Sequence, residues 1–172
     1  MTKELLFVNQ AEELGLIQQM AYKIKMSKNI NINPYETCFL CVSPDYSAIT
    51  AQLLSHLLTE EGEIYNIESV NVPFPDENCA RYQKDFRELY NKLILRWESF
   101  VLIEAGVIRG GNYTWISDIM TELSDLPFYT TTLFENKHSK YKSDIVCRYY
   151  DDETQDLHFW WEQQNNHWKF YE

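Results

Sequence analysis

Residues 99–112 read Ser99-Phe100-Val101-Leu102-Ile103-Glu104-Ala105-Gly106-Val107-Ile108-Arg109-Gly110-Gly111-Asn112. The first five form a short apolar run that suits a strand buried on both faces. Downstream, Trp115, Ile116, Ile119, Met120 and Leu123 share one face of a helix. Between strand and helix the spacing predicts a loop, Ala105–Thr114, that holds three of the chain's five glycines. Glycines let backbone N–H groups converge on an anion, and the helix N-terminus behind them adds partial positive charge. Arg109 adds a planar fork of donors, so the arrangement suits a phosphate. A tight strand-to-helix turn without a ligand would use the same glycines, and that reading stands beside the first.

Working outward, the same alternation recurs. Asn9 with Glu12 three residues on marks a helix start, and Leu14, Ile17, Ala21 and Ile24 follow at helical spacing to an end near Lys28. Thr37–Val42 is an apolar strand between Pro34 and Pro44. Ile49, Leu53, Leu54, Leu57 and Leu58 mark a helix that Gly62 ends, and Ile64–Val72 reads as a second strand. Pro73–Asn78 is a turn-rich connection. Phe86, Leu89, Tyr90, Leu93, Ile94 and Trp97 keep a helical stripe. Beyond the quoted stretch, Phe128–Phe134 reads as a fourth strand, and Asp144–Tyr150 and Leu157–Trp161 as short aromatic-rich strands. Met1–Glu4 leads into a polar, amphipathic stretch and receives no strand. Alternation at this spacing predicts an α/β fold with a mostly parallel sheet covered on both faces. With no repeat or linker, residues 1–172 are expected to form one domain.

Composition narrows the function classes. Twenty-six acidic residues against fifteen Lys and Arg give a net charge of −11, which repels phosphate backbones and argues against nucleic acid as a partner. The absence of an apolar run of roughly 18 residues or of a signal-peptide core argues against a membrane and for a cytosolic location. Abundant Asn, Ile and Tyr with few Gly is also what AT-rich coding produces, including that of many phages, in which case the location is the host cytosol. Cys38, Cys41, Cys79 and Cys147 are too scattered for a disulfide scaffold. Cys38 and Cys41 sit three apart in a strand and so project to opposite faces, which argues against a metal or redox pair. His56, His138, His158 and His167 show no ligand spacing among themselves or with the cysteines, and no metal is assigned.

The stretch Leu102–Asn112 resembles the phosphoribosyl-pyrophosphate loop of type I phosphoribosyltransferases, where a strand runs into two acids, two apolar residues and a Gly- and Thr-containing phosphate cradle. Cys38–Leu58 is similar to that family's pyrophosphate-loop region. Thr131-Thr132-Leu133 with Lys137, then Asp144-Ile145-Val146 and Phe159-Trp160-Trp161-Glu162, resemble the ending of purine-type members. The resemblance implies a phosphoribosyltransferase-like fold with a small aromatic-rich C-terminal hood. It also implies phosphate contacts from Arg109, Gly110, Gly111, Asn112 and Thr114, base contacts from Lys137 and Trp161, and Mg²⁺ as cofactor if the chain is an active enzyme.

Two departures bear on activity. With Val107-Ile108 on the family's apolar pair, Ala105 and Gly106 stand where its two acids would be. Glu104, the candidate catalytic acid, is one position early, and strand alternation is expected to aim it away from the site. Independently, no Lys or Arg occurs between Lys28 and Arg81. A departing pyrophosphate needs cationic help, and one lost donor costs about 3–4 kcal/mol in the barrier. Three readings follow: an inactive relative that keeps a phosphate- or nucleotide-binding loop or a partner-binding surface, an active purine-type enzyme with a modified site, or a purely structural or interaction protein. Lys137–Lys142 is the basic cluster of an acidic chain and would suit a phosphate, a base or an acidic partner. The aromatics Phe159, Trp160, Trp161, Trp168, Phe170 and Tyr171 suit core packing or a homo-oligomer contact.

Overall fold

The computed structural model describes residues 3–59, 63–73 and 79–161. In chain order the elements are β1 Glu4–Val8, α1 Gln10–Met26, β2 Thr37–Val42, α2 Pro44–Leu58, β3 Asn66–Val70, α3 Cys79–Leu93, β4 Ser99–Val107, α4 Gly111–Leu123, β5 Phe128–Asn136, β6 Ile145–Tyr150 and β7 Gln155–Phe159. Five strands form an all-parallel sheet in the order β3-β2-β4-β5-β6.

The helices cover both faces. On β2 and β4 the side chains of Phe39, Cys41, Val101, Ile103 and Ala105 pack with Ile17, Met20 and Ile24 of α1 and Ala51 and Leu54 of α2. The alternate residues Cys38, Leu40, Val42, Phe100 and Leu102 pack with Phe86, Tyr90 and Leu93 of α3 and Tyr113, Ile116, Ile119 and Met120 of α4. Burial on both faces explains why these strands read as continuous apolar runs. Cys38 and Cys41 do fall in opposite cores, and burial pushes each thiol up to about 12, which leaves neither as a thiolate.

At α1 the expected cap is present, with Asn9 Oδ1 accepting from the Glu12 N–H at 2.9 Å. Three expectations are corrected. The amino-terminal stretch is a strand: β1 pairs in parallel with β7, from Glu4 opposite Gln155 to Val8 opposite Phe159. Its partner lies more than 140 residues away in the chain, beyond the reach of local periodicity. The expected loop from Ala105 begins later, because β5 runs on to Asn136 and keeps Gly106 opposite Phe134 and Val107 opposite Glu135. It also ends earlier, since α4 starts at Gly111. Finally, β3 is shorter than Ile64–Val72 because its one neighbour, β2, pairs it only over Asn66–Val70. Gly62 and most of Pro73–Asn78 lie outside the described residues, as do Trp168, Phe170 and Tyr171.

From β2 the chain moves outward to β3 through α2, and from β4 it moves the other way to β5 through α4. The carboxyl ends of these two neighbouring strands therefore form a topological switch point, where open α/β sheets leave a crevice for ligands. The β1–β7 hood joins the core on the α1 and α2 side, where Val8, Phe159 and Trp161 are buried. Among the described residues no helix is long and apolar enough to cross a membrane.

Candidate functional site

Two strand-to-helix corners flank the switch point. At the β2–α2 corner Ser43 is left-handed (φ 54°, ψ 69°), followed by Pro44 as the first helical residue and Asp45 in the first turn. At the β4–α4 corner Gly110 is left-handed (φ 76°, ψ 10°) and α4 has no side-chain cap. The first intrahelical bond of α4 runs from the Thr114 N–H to the Gly110 carbonyl at 3.0 Å. The N–H groups of Gly111, Asn112 and Tyr113 lie ahead of it and are available to an anion.

The glycines of this corner have different reasons to be glycine. A Cβ on Gly110 would lie 2.5 Å from the Tyr141 Cβ, 2.7 Å from the Ser139 Oγ and 2.9 Å from the Tyr141 backbone nitrogen. The β5–β6 connection packs against its back, and the positive φ adds a second requirement. A Cβ on Gly111 would meet nothing within 4 Å, so this position faces open space. At Gly106 a Cβ would come 3.6 Å from Leu157 and 3.9 Å from Phe159. Hood side chains therefore stand where the resemblance would put the side chain of an acid.

Glu104 lies between the corners. Strand alternation does place it on the face opposite Ile103 and Ala105, and that is the face α4 covers. As a result the carboxylate turns into the seam between the corners and not out of the region, with Oε1 accepting from Asn112 Nδ2 at 3.0 Å and from Ser43 Oγ at 3.4 Å. It is 7% exposed. Burial pushes its pKa up to about 7, against the lowering influence of the Asn112 and Ser43 hydrogen bonds. Carboxyls held above their usual range by burial cluster at functional sites.

Of the remaining expected contacts, some turn inward and some outward. The Asn112 amide is held by Glu104, and the Thr114 hydroxyl donates to the Gly110 carbonyl at 2.8 Å. Arg109 is exposed, and among the described residues its side chain makes no hydrogen bond or ion pair. Beside it, the Lys140 N–H reaches the Arg109 carbonyl at 3.4 Å. The basic cluster divides: Lys142 Nζ lies 3.4 Å from the buried Glu135, while Lys137 and Lys140 face solvent. Tyr141 packs edge-on against Tyr113 at 5.4 Å and its hydroxyl bonds with Ser117 Oγ at 3.0 Å, which holds the connection over α4. Trp161 is buried, stacked on Phe159 at 4.9 Å and tilted against Tyr46 of α2 at 5.3 Å. Its neighbour Trp160 donates to Glu13 Oε2 at 2.6 Å, fastening the hood to α1. Lys137 and Trp161 thus stand on separate elements, with Trp161 in the core.

Sequence reasoning missed Ser43, Tyr46 and Tyr141. A Ser-Pro pair after a buried strand signals a helix start and points to Ser43. Tyr46 and Tyr141 reach the site by long-range packing and leave no local signal. As for a cofactor, Mg²⁺ takes oxygen donors in octahedral geometry. Ala105 and Gly106 supply none, and Glu104 Oε1 is already bound in a buried seam. These residues do not fit a Mg²⁺-bound sugar diphosphate. The corner presents N–H groups and the Arg109 guanidinium, a chemistry that suits an anion, and positions 105 and 106 offer no acid to a metal-bound diphosphate.

No family model matches the chain, and no curated protein matches it by sequence. Solved structures do match over most of its length. A xanthine-guanine-hypoxanthine phosphoribosyltransferase of Helicobacter pylori superposes with a TM-score of 0.63 at 14% identity, covering 98% of this chain and 99% of that one. An HGPRTase from Leishmania tarentolae in complex with GMP gives 0.61 at 18% identity, over 84% and 80%. A hypothetical protein from Neisseria gonorrhoeae with bound ppGpp gives 0.66 at 13% identity, over 94% and 91%.

Proposed function

From the type I phosphoribosyltransferase fold of this chain, we propose that it binds a purine nucleotide or another phosphorylated small molecule at the β4–α4 corner and does not transfer phosphoribose. One observation carries the reading: an open helix N-terminus at Gly111 with an unpaired Arg109 stands beside positions 105 and 106, which have no acid. Binding needs only the N–H groups and the guanidinium. Transfer also needs oxygen ligands for a metal and cations for pyrophosphate. Ligands held by structural neighbours, GMP and ppGpp, belong to the proposed class.

Calorimetry with GMP, with ppGpp, and with phosphoribosyl pyrophosphate plus Mg²⁺ tests it. Heat with at least one of these that Gly111→Val removes, without turnover of any purine base, is the expected result. Absence of heat with all three would move the reading to a protein that acts through partners. A second reading rests on Glu104, whose pKa of about 7 would suit an acid–base group. In it the chain is a purine-type enzyme with Glu104 as its single acid and Arg109, Lys137 and Trp161 in modified roles. Purine-dependent release of pyrophosphate, abolished by Glu104→Gln, would establish it and overturn the first.

A further inference from the structure

The geometry points to a transition-metal site on the far side of the β5–β6 connection, formed by His138, Asp151 and Glu153. One ligand atom from each lies within 4.8 Å of the other two. His138 belongs to the β5–β6 connection, and Asp151 and Glu153 to the turn between β6 and β7. Their convergence is a product of the fold, since β6 separates them in sequence.

The spacing suits a small dication. With metal–ligand bonds of about 2.1 Å, adjacent ligand atoms stand about 3.0 Å apart in an octahedron and about 3.4 Å apart in a tetrahedron. His138 Nε2 and Asp151 Oδ1 are 3.5 Å apart. Closing the third ligand requires only a rotamer adjustment of Glu153, an exposed side chain. The two loops are tied together at their roots. The Lys137 N–H bonds the Tyr150 carbonyl at 2.8 Å. Buried Asn136 accepts through Oδ1 from the His138 N–H at 3.1 Å and the Asp152 N–H at 3.5 Å.

The donor set selects the ion. An imidazole with two carboxylates is suited to Zn²⁺, Co²⁺ or Ni²⁺, whereas Mg²⁺ and Ca²⁺ favour oxygen alone. Positions beyond three protein ligands would be filled by water, because His138 is 54% and Asp151 26% exposed at the side chain. The charge balance also favours a cation, with Asp152 in the same turn and a chain of net charge −11. Exposed Lys137 is the opposing neighbour, and solvent screens it. A bound metal would clamp the connection that backs Gly110 to the turn leading into the hood.

Full-length protein stripped with chelator and titrated with Co²⁺, followed by its visible d–d bands, reads the site directly, and Zn²⁺ displaces the signal. The expected result is saturable binding at one site, weakened at least about tenfold by His138→Ala and by Asp151→Asn. His56→Ala and His158→Ala are expected to leave it intact. Circular dichroism checks that each variant is folded. Absence of a Co²⁺ spectrum at millimolar metal, or binding that His138→Ala leaves unchanged, would overturn the proposal.

Discussion

The β2–α2 and β4–α4 corners share a backbone plan. Each ends a buried parallel strand, turns through one left-handed residue, opens a helix without a side-chain cap, and sends one donor to Glu104. Their surroundings differ. The β2–α2 corner bends at Ser43, the one positive-φ residue other than glycine among the described residues. Pro44 then removes an N–H, and Asp45 adds a negative charge where an anion would sit. At the β4–α4 corner the bend is a glycine, the first helical residue is a second glycine open to solvent, and Arg109 stands free beside it. A strand-to-helix corner is therefore an anion site only when its N–H groups are present and the charges around them agree. By that standard the β4–α4 corner is the one that suits the anion proposed above.

The largest expected effect breaks the β4–α4 corner at its bend. Gly110→Ala meets Tyr141 and Ser139 at 2.5–2.9 Å with a positive φ, and should cost roughly 3 kcal/mol or more in urea denaturation. Gly111→Ala, one residue on, meets open space and should stay within about 0.5 kcal/mol of the parent. Equal losses at the two positions would show that the connection does not press on Gly110 as described.

Next comes the carboxyl that both corners share. Its folded pKa of about 7 lies above the ordinary glutamate value of 4.5, so the folded protein holds this proton more tightly than the unfolded chain. The stability it contributes is fully present below the unfolded pKa and is lost as pH rises through the folded one. Between pH 4.5 and 7 and just above, the parent should lose roughly 3 kcal/mol that Glu104→Gln does not. Melting curves of both proteins from pH 5 to 8.5 should diverge with rising pH, and parallel curves would refute the buried, desolvated Glu104.

The smallest effects separate the corners by charge. Arg109→Ala should weaken nucleotide binding about tenfold in calorimetry, corresponding to about 1.4 kcal/mol, with little change in stability because the side chain is exposed. Asp45→Asn at the other corner should change affinity by less than about twofold. If Asp45→Asn proved the more consequential, the ligand would sit at the β2–α2 corner.

Much of the sheet was legible because β2 and β4 are buried on both faces and announce it with apolar runs, while β5 shows aromatic and β-branched residues. The helices were legible through their stripes, and α1 through its cap as well. The extension of β4 was not, since Ala105 and Gly106 are poor strand formers that pair only because β5 runs alongside them. At the site, the glycine-rich corner and Arg109 could be read locally. Where Glu104 points could not, because alternation gives its face and only the tertiary position of α4 gives its neighbours. Gly110 was legible as a turn glycine, while the pressure of Tyr141 behind it was not. The nearness of His138 to Asp151 and Glu153 was hidden for the same reason, since spacing along the chain says nothing about a loop that returns after a strand.

The pairing of β1 with β7 also bears on how the molecule assembles. As the chain leaves a ribosome, Glu4–Val8 emerges about 150 residues ahead of its partner Gln155–Phe159. Until then a mostly apolar strand has both edges open, and the five-stranded sheet can form without it. Closing so long a loop adds only slowly growing entropy, but it sets the order of events. The hood should therefore dock after the five-stranded sheet has formed. In the interval before docking, the growing chain is most exposed to aggregation through a free strand edge.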